Sequence, residues 1–364
     1  MKKYVCFLLS LCVLLTFAAP ASAKDDESQS EDTAKFDVTG LIMEHIKDSH
    51  EWHILDYKKE VDGEEEEVHV AIPLPVIVYA NGQLDFFMSS AFHHGDSLVK
   101  KGDNTYILYE GKIYLAGKDG EITFNKDGEI ENEKPLDFSI TKNVASMMLV
   151  SIILLLVFIS FAKAYKKNPG RPRGMQAVLE PIFLYVRDDI IYPNLGSKTD
   201  KFLPYLATVF FFILFNNILG LIPFFPGNAN VTGNIAVTMV LAVFTFLMIN
   251  LNGNKDYWHH TFWMPGVPVF VKPILAVVEL MGIIVKPVAL MIRLFANISA
   301  GHIIILSLIS LIFIFQTIAV APVSVIFVLF MDCLEMLVAF LQAYIFTMLS
   351  AVFISLAVAE HKHE

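Results

Sequence analysis

Glu279, Lys286 and Arg293 recur at seven-residue intervals within an otherwise apolar stretch. Seven residues are nearly two helical turns, so the three share a face, and Asn297 extends that face by another turn. Arg293 is the only formally charged residue from Pro287 to Met331. A guanidinium cannot shed its proton in an apolar setting, and at mid-membrane it costs at least about 2.5–3.5 kcal/mol on insertion scales. The chemistry that requires such a residue is conduction, coupling or ligand binding; the plainer alternative is an arginine near a helix end whose head reaches the interface. A second polar series lies downstream. Glu335 and Gln342 are seven apart and share a face, Asp332 is three before Glu335, and Tyr344 sits nearby. His302, nine residues after Arg293, is two and a half turns on and faces away from the arginine stripe. Polar sides at different depths suit two offset half-channels separated by a positive charge, and do not suit a continuous pore.

The segment KPVALMIRLFANISAGH, followed downstream by LQAYIFTMLSAVFISLA, resembles the two most characteristic stretches of the a subunit of F-type ATP synthase, the membrane stator subunit beside the rotating c-ring. The resemblance covers roughly residues 170 to 360. It implies an all-α polytopic membrane protein whose last two long, tilted helices lie across the outer surface of the c-ring. By resemblance, Arg293 matches the family's essential arginine, Asn297 the amide after it, and Gln342 the glutamine of the last helix near that arginine. At the positions of His302 and Glu335 many members have glutamate first and histidine second. The pair is exchanged here, which leaves open which of the two dominates the proton relay.

The function implied is a proton-conducting stator subunit of F-type ATP synthase, with no covalent chemistry, no ATP-hydrolysing site and no cofactor in this chain. Glu335 and His302 would serve a periplasmic half-channel, Glu279 and Lys286 a cytoplasmic one, and Asn217 an aqueous path. The implied partners are the c-subunit ring, b-type peripheral stalk subunits, the remainder of the synthase and the lipid bilayer. Two other classes remain: an ion-coupled secondary transporter, against which stands the lack of an inverted hydropathy repeat, and a structural membrane adaptor, which leaves the charge stripe without a purpose.

The elements that must position these residues follow from hydropathy. Lys2 and Lys3 precede the apolar run Tyr4 to Ala19, and Pro20 to Ala23 are small, so residues 1–23 read as a signal peptide. Its removal would leave one of the three cysteines, Cys333, so neither a disulfide scaffold nor a cysteine metal site is available to the mature chain. Residues 24–143 hold 27 acidic and 12 basic residues, and residues 144–364 hold 10 and 13. This divides an acidic periplasmic domain from a slightly basic membrane body, and no basic patch fits nucleic acid.

In the acidic domain, Lys24 to Thr33 reads as disordered. Val38 to Asp56 reads as a short amphipathic helix and Glu64 to Glu67 as a solvated loop. VHVAIPLPVIVY, LDFFMSSAF, TYILYEGKIYLAG and EITFNKDGEI read as strands of a small antiparallel sheet. His93, His94 and Asp96 lack a third spaced ligand for a metal.

Five membrane elements are expected, near 144–162, 203–222, 231–251, 278–306 and 322–357. The last two are too long to stand upright if unbroken, although periodicity alone also allows ordinary helices with frayed ends. Between the first two, MQAVLEPIFLYVRDDI reads as an amphipathic or membrane-edge helix. Asn216 and Asn217 serve either to stitch helices or to line a wet path. The loop from Lys163 to Lys201 carries eight basic against four acidic residues, which the positive-inside rule assigns to the cytoplasm of a bacterial inner membrane, with the C-terminus on the same side.

Overall fold

In the computed structural model the described residues are 47–61, 64–95, 97–117, 120–125, 130–167, 174–222, 225–227, 229–264, 266–315 and 320–359. The expectations for the signal peptide, for Lys24 to Thr33 and for residues 38–46 lie outside them.

Among the described residues the N-terminal part is built of strands in three antiparallel sheets rather than one. Strands β1 (Glu51–Val61) and β2 (Glu64–Pro73) pair as a long hairpin, β3 (Pro75–Ala80) pairs with β4 (Gln83–Met88) and β8 (Leu136–Asp137), and β5 (Val99–Lys101), β6 (Asn104–Tyr109) and β7 (Lys112–Leu115) form a meander. The turns are written in the sequence. Asn81-Gly82 has φ 51 and 80, and Glu110-Gly111 has φ 47 and 77, two consecutive left-handed residues in each two-residue hairpin.

Three sequence expectations fail here. Residues 51–56 belong to β1 and not to a helix, because the alternating run after Glu67 supplies a partner strand and period two wins over an imperfect helical register. Glu64 to Glu67 open strand β2 instead of a loop: the register pairs them residue by residue with Val61 to Lys58, Glu60 opposite Glu65 and Lys58 and Lys59 opposite Glu67 and Glu66. Among its described residues, EITFNKDGEI contributes an isolated bridge, Phe124 with Ile130, and no strand.

Val76, Val78, Phe87, Phe92, Val99, Tyr106 and Ile113 close the core of this domain. Tyr106 is fully buried and donates to Asp85 Oδ2 at 2.7 Å, and burial, aided by that carboxylate, pushes its phenol up to about 12.

The remainder is helical. Helix α1 (Lys142–Lys167) is followed by α2 (Met175–Tyr185), a π-turn at Val186–Ile191, the short α3 (Tyr192–Leu195) and α4 (Thr199–Gly220). Then come α5 (Ile235–Leu251), α6 (Lys255–Phe262), α7 (Lys272–Phe315) and α8 (Val320–Val358). Four apolar segments are long enough to cross a membrane, namely α1, α2 through α4, α7 and α8; α5 qualifies together with α6, across a 101° bend. The chain is therefore a multi-pass membrane protein with an all-α body and a β-rich N-terminal region.

At 1.5 Å per residue, the 44 residues of α7 and the 39 of α8 extend about 66 Å and 58 Å. Neither fits a ~30 Å hydrocarbon layer without tilt or bending, so the alternative of two ordinary helices is set aside. The body's core runs along α4, where Phe202, Leu206, Phe210, Phe211 and Ile213 meet Leu290 and Leu294 of α7 and Ala343 and Phe346 of α8. The end of α8 is tied down by Asn254, whose backbone donates to Ala357 O at 2.9 Å and whose amide donates to Val358 O at 2.8 Å, and by Lys198 Nζ on that same carbonyl at 2.5 Å.

Where the β domain meets α1, His50 donates to Asp137 Oδ2 at 2.9 Å and Ser139 N to Asp137 Oδ1 at 2.8 Å. Burial raises the Asp137 carboxyl, but His50 and Ser139 together outweigh it and leave the group below its ordinary value. The stability it contributes is then full above its ordinary unfolded pKa and is lost as pH falls through the lower folded value. Asp137→Asn is expected to remove that acid-sensitive part, so the variant's protease resistance in the β domain should change less between neutral pH and pH ~3 than the parent's.

Candidate functional site

The charged and amide residues picked from the sequence lie along α7 and α8, which run antiparallel, except Asn217, which is on α4 behind them. Asn297 Nδ2 donates to Gln342 Oε1 at 3.1 Å, joining the two helices one turn beyond Arg293. Gln342 is buried, whereas Arg293 lies exposed on the flank of α7. Among the described residues nothing is hydrogen-bonded or ion-paired to the Arg293 guanidinium. Its charge is thus available on the outside of the helix pair.

From that crossing toward the β domain, α8 retreats by seven residues to Glu335 as α7 advances to Gly301 and His302. Glu335 is buried, and neither carboxylate oxygen has a hydrogen-bond partner among the described residues. It lies directly against the Gly301 backbone: a Cβ at that position would collide with Oε1 and stand 2.8 Å from Cδ. His302 and Glu335 line one cleft together with Asn297, Asn216, Asn217, Asn230 and Thr232. Its open space admits about one water-sized sphere, so it is a narrow polar crevice and not a wide pore.

The amides of this crevice both stitch and line. Asn217 donates to Ala339 O at 3.3 Å and accepts from Thr232 Oγ1, which fixes α4 to α8 and to the turn before α5. Asn230 accepts from Gly233 N at 3.0 Å, and among the described residues its buried Nδ2 and Asn216 Oδ1 have no hydrogen-bond partner. A cluster of buried polar atoms without protein partners is a place where water is expected. Ser299 Oγ, on Gly233 O at 3.3 Å, holds α7 to the same turn.

On the other side of Arg293 the setting differs. Lys286 Nζ stands 5.5 Å from the Phe353 ring centroid. Glu279 lies about 21 Å along the axis from Arg293 by helical rise. Neither residue touches the crevice, so the structure brings together His302, Glu335, Asn297 and Asn217, adds Gln342 beside them, and keeps Glu279 and Lys286 apart.

The family description "ATP synthase A chain" matches residues 144–355, the whole helical body that holds this site. The chain belongs to the ATP synthase A chain family. Similar proteins include ATP synthase subunit a of Chloroherpeton thalassium, 45% identical over 234 residues, covering 62% of this chain and 69% of that protein. The corresponding protein of Pelodictyon phaeoclathratiforme is 46% identical over 296 residues, covering 76% and 81%. ATP synthase subunit a 2 of Prosthecochloris aestuarii is 44% identical over 261 residues, covering 67% and 78%. Residues 41–138 match a separate description, a domain of unknown function, DUF8433.

Gly301, Asn230 and Thr232 escaped the sequence reading. Gly301 sat unnoticed inside a helical run, where a glycine costs helix stability of about 1 kcal/mol relative to alanine and therefore signals a close neighbour. The NANVTGN stretch was legible only as a break between spans. Gly301→Ala should leave the subunit assembled, since its backbone is ordinary helix, but displace Glu335 from its seat. ATP-driven proton pumping by the assembled variant should fall at least about tenfold, as expected when a buried relay group is misplaced by about an ångström; pumping at the parental rate would mean the seat of Glu335 is unimportant.

Proposed function

We propose that this chain is the proton-conducting stator subunit of an F-type ATP synthase, with two half-channels that end on either side of Arg293. The observation that carries the reading is the separation just described: a crevice with His302 and Glu335 on the β-domain side, Glu279 and Lys286 on the other, and between them an exposed guanidinium with no ion pair among the described residues.

The first spanning helix is preceded by the acidic domain and closed by Lys163, Lys166 and Lys167, and the basic loop to Lys201 follows. With basic loops held in the cytoplasm, the β domain is periplasmic, α1 runs inward, and the end of α8 is cytoplasmic in a bacterial inner membrane. Residues 1–23 then serve as the signal peptide, 24–143 as the periplasmic domain and 144–364 as the membrane domain.

A proton enters from the periplasm by the crevice, passes His302 and Glu335 and neutralises a carboxylate carried by the c-ring against the bare flank of α7 and α8. Large apolar side chains such as Ile292, Phe327, Phe330, Leu334 and Leu337 are exposed on these helices, as a membrane surface or a ring would require. When the ring brings a protonated carboxyl to Arg293, an ion pair at ~4 Å and effective permittivity ~20 gains about 4 kcal/mol, equal to roughly three pKa units, and the proton leaves. Glu279 and Lys286 flank its way to the cytoplasm. Because Arg293 is permanently charged, no neutral carboxyl rests beside it, and the two paths communicate only through rotation. The b-type stalk subunits would hold the chain still against the ring.

His302 and Glu335 act as one relay unit. Each single change to a non-ionisable residue should slow proton pumping, whereas His302→Glu with Glu335→His should retain more activity than the worse single swap; losses that simply add in the double variant would show two independent structural positions. The gate is tested separately. Arg293→Ala should assemble with the ring and lose coupled ATP synthesis, and Arg293→Lys, which keeps the charge but not the planar fork, should fall by at least about tenfold. Near-parental synthesis by an assembled Arg293→Ala enzyme would overturn the reading.

A further inference from the structure

The foot of the β domain is built into the helical body at two places. Asp48 accepts from Thr141 Oγ1 at 2.8 Å and from Asn143 N at 3.0 Å, while Ser49 O accepts from Lys142 N at 2.8 Å. Three consecutive residues at the start of α1 are therefore held by two residues of the domain. A few residues on, the buried indole of Trp52 in β1 meets the half-exposed ring of Phe225 edge to face, 5.2 Å between centroids. Phe225 belongs to the connection between α4 and α5. That connection is also a wall of the crevice, because its Ala229, Asn230, Val231 and Thr232 line it together with His302 and Glu335.

The described part of this connection has no regular helix or strand, so its position depends on what it touches. At Gly227 it lies so close to the end of α4 that a Cβ there would collide with Ile222 O and stand 2.7 Å from Leu219 O. Further on, Thr232 donates to Asn217 and Gly233 O accepts from Ser299 at 3.3 Å. Those holds come from the helical body itself. Trp52 adds one from the β domain, five residues before Asn230.

We propose that Trp52 is a positioning residue for proton uptake: with its strand anchored to α1 through Asp48 and Ser49, it braces Phe225 and so keeps the wall at residues 229–232 at its spacing from His302 and Glu335. The β domain is thereby a working part of the uptake path and not an appendage. This rests on the reading of the crevice as that path and of His302 and Glu335 as its relay groups. A crevice about one water wide carries protons only while its walls keep that width, since closing it excludes the water and opening it takes away the water's partners. An edge-to-face aromatic pair is directional as well as apolar, so it fixes where Phe225 sits and not merely that it is covered.

The test uses the complete synthase in proteoliposomes, with ATP synthesis driven by a constant membrane potential. The proton concentration on the β-domain side is varied, the other side is held fixed, and rates are expressed per assembled ring. The proton is the substrate of this path, so impaired uptake raises its half-saturating concentration and keeps the saturating rate, whereas a generally loosened enzyme loses saturating rate. Trp52→Ala should raise the half-saturating proton concentration by roughly threefold to tenfold, the scale of one lost aromatic pair. Trp52→Phe, which keeps a ring against Phe225, should stay within about twofold of the parent. Phe225→Ala should shift as Trp52→Ala does, and the double variant no further than either single one.

An assembled Trp52→Ala enzyme with the parent's half-saturation overturns the proposal, as does a lowered saturating rate at unchanged half-saturation, or shifts that add in the double variant. If Trp52→Ala does not assemble, Phe225→Ala, at a half-exposed position, decides by the same measurement. Parental half-saturation and rate in Glu335→Gln would instead defeat the relay reading itself.

Discussion

A permanently charged guanidinium in an apolar helix pair has to be either neutralised within the protein or left facing something that supplies the opposite charge. Arg293 has no ion pair among the described residues, and the amide contact one turn on, Asn297 with Gln342, is between neutral groups. Much of the body is arranged around keeping it so. Leu290 and Leu294, close by in sequence, are buried and fix α7 against α4 and α8, and the guanidinium is exposed on the flank beside them. His302 and Glu335 on one side and Glu279 and Lys286 on the other sit at other depths, and among the described residues none of them forms an ion pair with the arginine. In this account the ring's carboxylates supply the missing counter-charge in succession.

The crevice follows from a second constraint, that amides buried in an apolar setting must find partners or water. Asn217 satisfies itself on α8 and on Thr232, which draws the turn before α5 into the bundle; Asn216, Asn230 and Glu335 keep atoms unsatisfied, which makes the same place wettable. Glu335 reaches that position only because residue 301 has no side chain. One glycine therefore decides whether a carboxylate and an imidazole share a cavity.

The spacing of Glu279, Lys286 and Arg293 and the long charge-free runs were sufficient to place the helices and to mark the arginine, because helical period and desolvation cost are local properties of a sequence. What was not legible depends on contacts between distant segments. The strand at Trp52 and the acidic strand at Glu64 were misread because their pairing is decided by each other. His302 was seen to turn away from the arginine face, but what it turns toward, Glu335 and the asparagine-rich turn, is set by how α7, α8 and the segment around Asn230 meet. The hydrogen bonds that Asp48 accepts from Thr141 and Asn143 span nearly a hundred residues and leave no periodic trace.

The central claim is that Arg293 keeps two proton paths apart, and passive proton flux tests it most directly. Membranes carrying the assembled sector, stripped of their catalytic part, are given an imposed pH gradient and the flux is recorded for the parent and for Arg293→Ala. The account predicts that the alanine variant leaks protons down the gradient while the parent, with its ring held still, does not. An assembled Arg293→Ala sector as tight to protons as the parent would contradict it.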